Sequence, residues 1–94
     1  MKSICAVEGV SAWGIKEGKY GLALIRASGT AAGVFTKNIV RAPPVVLMEE
    51  RIRSAYLDAV IVNSGCANAY TGDRGYQDAL RMGEIAASAL SISP

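Results

Sequence analysis

Ninety-four residues bound this chain to one small domain, about half apolar (51%), with 10 glycines and few aromatic side chains. Its 10 basic and 8 acidic residues leave a net charge of +2, and the basic residues are dispersed, which excludes a nucleic-acid stripe. With no histidine and only Cys5 and Cys66, distant and outside any CxxC, a zinc site lacks its ligands. Both cysteines read as reduced thiols of a cytoplasmic protein, since MKSICAVEGV has no signal-like apolar core. The longest apolar run falls far short of the roughly 20 residues a membrane helix needs, so no membrane partner is expected.

From the N-terminus, Ile4 to Ile15 mixes apolar residues with Gly9 and Gly14 and predicts a short strand or extended entry segment. Lys16-Glu17-Gly18-Lys19 predicts a turn, and Tyr20 to Ala27 a strand. Ala27-Ser28-Gly29-Thr30 reads as a second turn leading into a strand at Ala31 to Thr36, the two strands forming a hairpin. Pro43 and Pro44 make Asn38 to Pro44 extended or looped, and Pro44 to Met48 reads as a third short strand. Glu49 to Tyr56, with Ile52 and Tyr56 four apart, predicts one or two exposed helical turns.

The most informative stretch follows. Ala59-Val60-Ile61-Val62 is a β-branched apolar run, Asn63 to Ala69 is small and polar, and a helical pattern opens behind Thr71-Gly72. Tyr76, Ala79, Leu80, Gly83, Ala87 and Leu90 share one helical face, with Ile85, Ala86 and Ala89 beside it. Asp73 suits the first turn of that helix, and Thr71 its N-cap. The chain then stops abruptly at Pro94, as a fragment would. The pattern as a whole predicts an α/β (α+β) fold of mixed sheets packed with helices, in one partial domain spanning 1–94.

A loop from a buried strand into a helix N-terminus gathers unpaired N–H groups where an anion or oxyanion is welcome. Thr71 and Gly72 are the sharpest candidates, since a hydroxyl and a following N–H can address one oxygen. On local chemistry alone a plain N-cap and a sterically required glycine are the simpler reading. Asn63, Ser64 and Asn68 read as loop-holding residues behind that pair. Ser64-Gly65 is not a nucleophile elbow, because GxSxG is absent and no histidine is present to act as base. Cys66 reads as a small buried thiol, with activation by the helix terminus the alternative. Asp58, Asp73 and Asp78 show no spacing for acid-base work, and Lys37-Asn38 reads as solvated surface.

The chain resembles the ornithine acetyltransferases, the bifunctional glutamate N-acetyltransferases and amino-acid acetyltransferases of the cyclic arginine pathway. The resemblance is carried by Gly18-Lys19 with Leu22-Ala23-Leu24-Ile25, by AAGVFTKN (Ala31 to Asn38) and by Arg41-Ala42-Pro43-Pro44-Val45. Above all it is carried by NSGCANAYTG (Asn63 to Gly72), with Gly75 and Asp78-Ala79 behind it. The family usually has Asn at the position of Cys66, and Tyr70 occupies a variable one.

The resemblance implies the N-terminal portion of the DmpA/ornithine acetyltransferase-like fold, with Thr71 and Gly72 as the oxyanion hole. It implies an α chain whose partner is a β chain, made by self-cleavage, carrying an N-terminal Thr nucleophile, and an α2β2-type heterotetramer. It implies acetyl transfer from N-acetylornithine to glutamate with no cofactor, acetyl-CoA being a further donor in bifunctional members. Thr30, Thr36 and Thr71 do not sit in the family's Ala-Thr cleavage context, so the nucleophile is not in this chain. The segment alone is expected to be inactive. Two other readings stand beside this one: an aminopeptidase of the same self-cleaving fold, and a stand-alone non-catalytic small domain.

Overall fold

The computed structural model describes residues 3–69 and 71–94. A 3-10 turn at Ile4–Ala6 leads into strand β1 (Ser11–Glu17), and β2 (Tyr20–Thr30) returns beside it. Helix α1 (Pro43–Arg51) and a 3-10 turn (Ile52–Ser54) follow. Strand β3 (Tyr56–Ser64) then pairs with β2, and the long helix α2 (Gly72–Leu90) closes the chain. The α+β class expected from the sequence is what the backbone forms. The three strands run in the order β1-β2-β3, all antiparallel.

Gly18 at φ +60 takes the first of two turn positions between β1 and β2, where glycine is the natural residue of a type II′ hairpin. The expected turn at Lys16 to Lys19 therefore shrinks to Gly18-Lys19, and the strand begins at Ser11 rather than earlier.

The second hairpin does not form. Where Ala27 to Thr30 reads as a turn, β2 continues, and its pairing with β3 slips between Arg26 and Gly29. Ser28 donates its hydroxyl hydrogen to Asp58 Oδ1 at 2.9 Å beside the slip. A bulge accommodates a turn-forming Ser-Gly pair without ending the strand. Ala31 to Thr36 consequently has no partner strand. It runs on irregularly, with Val34 and Ile39 essentially fully exposed.

The expected strand at Pro44 to Met48 is also overturned, since these residues lie in α1. The two prolines occupy N1 and N2, where their missing N–H groups are not needed and their φ is already helical. Ala42 before them is extended (φ −64, ψ 147), as a residue preceding proline prefers. The β-branched pair Val45-Val46 is half-buried against the rest, so packing outweighs its strand propensity. Of the helical turns expected at Glu49 to Tyr56, Glu49 to Arg51 end α1, Ile52–Ser54 form the 3-10 turn, and Tyr56 already starts β3.

The two helices pack on each other and α2 rests on β3. Among the described residues Leu47, Ala86 and Ala87 are the buried apolar side chains, joined by Pro43 and Gly75. Arg51 lies across Gly83, where a Cβ would meet its Nη1 at 2.8 Å. On β3, Leu57, Ala59 and Ile61 are half-buried while Val60 and Val62 are exposed, so α2 covers one face of the sheet over β3, and β1 is exposed along its length. The other face presents the directly paired rows Ala12, Ile25, Val60 and Gly14, Ala23, Val62. The accessible surface of 7165 Å² exceeds by roughly 2,000 Å² what a compact 9.8 kDa monomer shows on average. Among the described residues no helix is long and apolar enough to cross a membrane.

Candidate functional site

The loop between β3 and α2 is held at both ends. At the strand end, Gly65 (φ +82) presses its Cα face against the Lys19 carbonyl, where a Cβ would overlap backbone. Asn63 donates from Nδ2 to the Cys66 carbonyl at 2.9 Å, bridging the bend. Ser64 places its hydroxyl over Gly21, 2.5 Å from where a Cβ of that residue would stand. These two polar residues of β3 serve the strand end. They are not brought to Thr71.

At the helix end the arrangement is different. Thr71 is the N-cap residue by position, but its side chain makes no capping hydrogen bond to the helix backbone. Its hydroxyl donates instead to Asn68 Oδ1. Asn68 is half-buried and donates from Nδ2 to the Gly75 carbonyl at 2.7 Å, while the Gly75 N–H donates to the Thr71 carbonyl at 3.3 Å. Thr71, Asn68 and Gly75 thus form one hydrogen-bonded unit across the first turn of α2. Asp73 lies in that turn as expected.

The backbone at this point has a specific shape. Thr71 is right-handed helical (φ −104, ψ −2) and Gly72 left-handed (φ +65). Successive right- and left-handed residues turn consecutive N–H groups toward one side, forming a concavity suited to an anion. Glycine is the residue that reaches φ +65 without cost from a side chain, and the space beside Gly72 is open for 4 Å. The helix dipole adds partial positive charge at the same spot.

Cys66 is exposed, not buried, and so is Cys5; both thiols are free. The loop has no packed layer above it to bury Cys66. Tyr70 lies outside the described residues. Lys37 and Asn38 are surface residues, as read. A residue that local reasoning passed over is Gly75, buried beneath Thr71, where a Cβ would overlap the Thr71 side chain and crowd Asn68 Oδ1. Apart from its place behind the family motif, the spacing Thr-Gly-x-x-Gly is its sequence signal.

On the sheet, a shallow depression of about 340 Å³ is bordered by Gly14, Gly21, Ala23, Val62 and Ser64. It is apolar and belongs to the uncovered face.

The model of the ArgJ family matches residues 7–94. The glutamate N-acetyltransferase of Methanosarcina mazei is 59% identical over 92 residues, covering 97% of this chain and 23% of that protein. The arginine biosynthesis bifunctional protein ArgJ of Archaeoglobus fulgidus is 56% identical over 87 residues, covering 93% and 23%. The crystal structure of the arginine biosynthesis bifunctional protein ArgJ from Bacillus halodurans superposes with a TM-score of 0.89 at 37% identity. That match covers 98% of this chain and 52% of the solved one. The chain therefore spans 23% of the length of the curated relatives named here.

Proposed function

This chain belongs to the ArgJ family, and from that premise we propose that it is the N-terminal segment of an acetyltransferase α chain. The complete enzyme transfers an acetyl group from N-acetylornithine to glutamate in arginine biosynthesis. The observation that carries the reading is the right-handed/left-handed backbone pair at Thr71-Gly72 at a helix start, a shape that suits N–H groups to an anion, with the Thr71 hydroxyl held beside it by Asn68. Such donors stabilise a tetrahedral oxyanion by about 3 kcal/mol each when water is excluded.

In this reading the partner β chain begins with the Thr nucleophile, whose α-amino group is the base. The Thr hydroxyl adds to the acetyl carbonyl, passing its proton to the amine, and the negative charge develops on the oxygen facing Thr71 and Gly72. The amide C–N bond breaks as ornithine leaves with that proton, and an acetyl ester remains on Thr. The glutamate amine then attacks the ester, giving a proton to the α-amino group while the same donors hold the second oxyanion. The ester C–O bond breaks, the proton returns to the Thr oxygen, and N-acetylglutamate leaves.

No cofactor enters this exchange; acetyl-CoA serves as a further acetyl donor in a bifunctional member. The uncovered sheet face and the excess surface fit a chain that lies against further protein, here the rest of the α chain and the β chain in a cytoplasmic α2β2 assembly. Asn63 and Ser64 hold the strand end of the loop, and Asn68 its helix end.

The test is a chimera in which these 94 residues replace the matched part of the Methanosarcina mazei enzyme. Thr71→Ala is expected to lower kcat for acetyl transfer about 100-fold or more. A kcat within twofold of the parent chimera would remove Thr71 from the oxyanion hole.

A further inference from the structure

The Asn68 amide has a determined orientation. Its Nδ2 points at the Gly75 carbonyl at 2.7 Å, and the flipped amide would set two acceptor oxygens face to face there. Oδ1 is therefore the atom beside Thr71, and an amide oxygen only accepts. The single hydroxyl hydrogen of Thr71 is consequently committed to Asn68 in the resting site. A hydroxyl cannot donate twice, so the hydrogen must leave Asn68 before it can reach a substrate oxygen.

We propose that Asn68 is a positioning residue that holds Thr71 Oγ1 in place and retains its hydrogen until charge develops on the substrate oxygen. This rests on the oxyanion-hole reading of Thr71 and adds a selection rule to it. A ground-state carbonyl is a neutral acceptor no stronger than the Asn68 amide, and it gains nothing by drawing the hydrogen over. An oxyanion is a charged acceptor whose hydrogen bonds are roughly twice as strong, and it takes the hydrogen by rotation about Cβ–Oγ alone. The Oγ1 atom need not move. The donor is thereby withheld from the substrate and given to the transition state; because the Asn68 bond is given up in exchange, the gain in kcat comes from Oγ1 being held where the oxyanion forms.

Gly75 is the other half of the device. Its carbonyl orients the amide, and its missing Cβ leaves the space that the Thr71 side chain fills. Side chain, loop and helix turn are fixed together by one residue with no side chain of its own.

The experiment uses the chimeric full-length enzyme with Asn68→Ala and Asn68→Asp, each in the Thr71 and the Thr71→Ala background. Asn68→Ala is expected to lower kcat about 10-fold because Oγ1 is no longer held in place, with KM unchanged or lower because the freed hydroxyl also serves the ground state. Asn68→Asp holds the hydrogen with a charged acceptor but loses the donor to Gly75 and sets an oxygen against that carbonyl. It is expected to lower kcat 100-fold or more, with its urea midpoint read alongside. In the Thr71→Ala background both substitutions should cost at least tenfold less in kcat than in the Thr71 background, because the hydroxyl they act through is gone and only the Gly75 contact is left to lose.

Equal losses in the two backgrounds would overturn the proposal, as would wild-type kcat for Asn68→Asp. If Asn68→Ala does not fold, the isosteric Asp pair decides alone. Should Thr71→Ala itself leave kcat within twofold, it is the oxyanion assignment that fails, and Asn68 falls with it by a separate and recognisable result.

Discussion

Tyr76 donates its phenolic hydrogen to Glu50 Oε2 across 3.1 Å, tying the first turns of α2 to the end of α1. That hydrogen bond, reinforced by partial burial and by the negative charge of Glu50 and opposed by Arg51, raises the Tyr76 pKa above its ordinary value of 10.0. The folded chain thus holds this proton more tightly than the unfolded one. The stabilisation is complete below the ordinary pKa and disappears as pH climbs through the raised value. In Glu50→Gln the charge is lost and the Tyr76 midpoint should fall, followed by NMR of ring-labelled tyrosine. Identical midpoints in the two proteins would mean that the contact is absent in solution.

Gly75→Ala sets two effects against each other. Alanine favours a helix interior over glycine by about 1 kcal/mol. The added methyl, however, overlaps the Thr71 side chain in a buried position, and overpacking costs typically 1–3 kcal/mol. The clash should win. The chimera carrying Gly75→Ala is expected to unfold at lower urea concentration and to lose at least tenfold in kcat; a raised midpoint with full activity would show that Thr71 has room elsewhere.

Gly72 has open space beside it, so substitution there tests the backbone angle alone. Asparagine tolerates φ near +65, alanine less, and a β-branched residue hardly at all. Activity of the chimera should therefore fall in the order Gly72→Asn, Gly72→Ala, Gly72→Val. An order following side-chain volume or polarity in some other way would argue against the concave backbone as the source of the effect.

The strand-loop-helix at the centre of the chain is legible because its hydrophobic period changes in plain view, from a β-branched run to steps of three and four. The first half is less so, for two local reasons. Ser28-Gly29 carries the chemistry of a turn, yet the structure uses it as a bulge within β2, a choice made by pairing with β3 thirty residues away. Pro43-Pro44 before Val45-Val46 reads as an extended segment into a strand, whereas the same prolines start a helix once Leu47 has a buried place to go. The site divides likewise. Local chemistry makes Thr71 and Gly72 candidates and the family motif lifts them above a plain N-cap, whereas the Asn68-Thr71-Gly75 unit depends on a fold-back that no periodicity reports.

The uncovered sheet face predicts the behaviour of the isolated polypeptide. With Val60 and Val62 42% and 46% exposed in adjacent rows, it should bind a hydrophobic dye and sediment as more than a 9.8 kDa monomer. Val60→Lys with Val62→Lys should suppress both. If the double variant associates as strongly as the parent, another surface is responsible.

The close seat of Gly65 on the Lys19 carbonyl bears on where this protein tolerates additions. A hairpin tip is ordinarily the safest place for an inserted epitope or fluorophore. Here the tip at Gly18-Lys19 is the floor under the loop that leads to Thr71, so a label spliced into it would be felt at the helix start. The irregular stretch around Ile39, wholly exposed and paired with no strand, is where a reporter belongs.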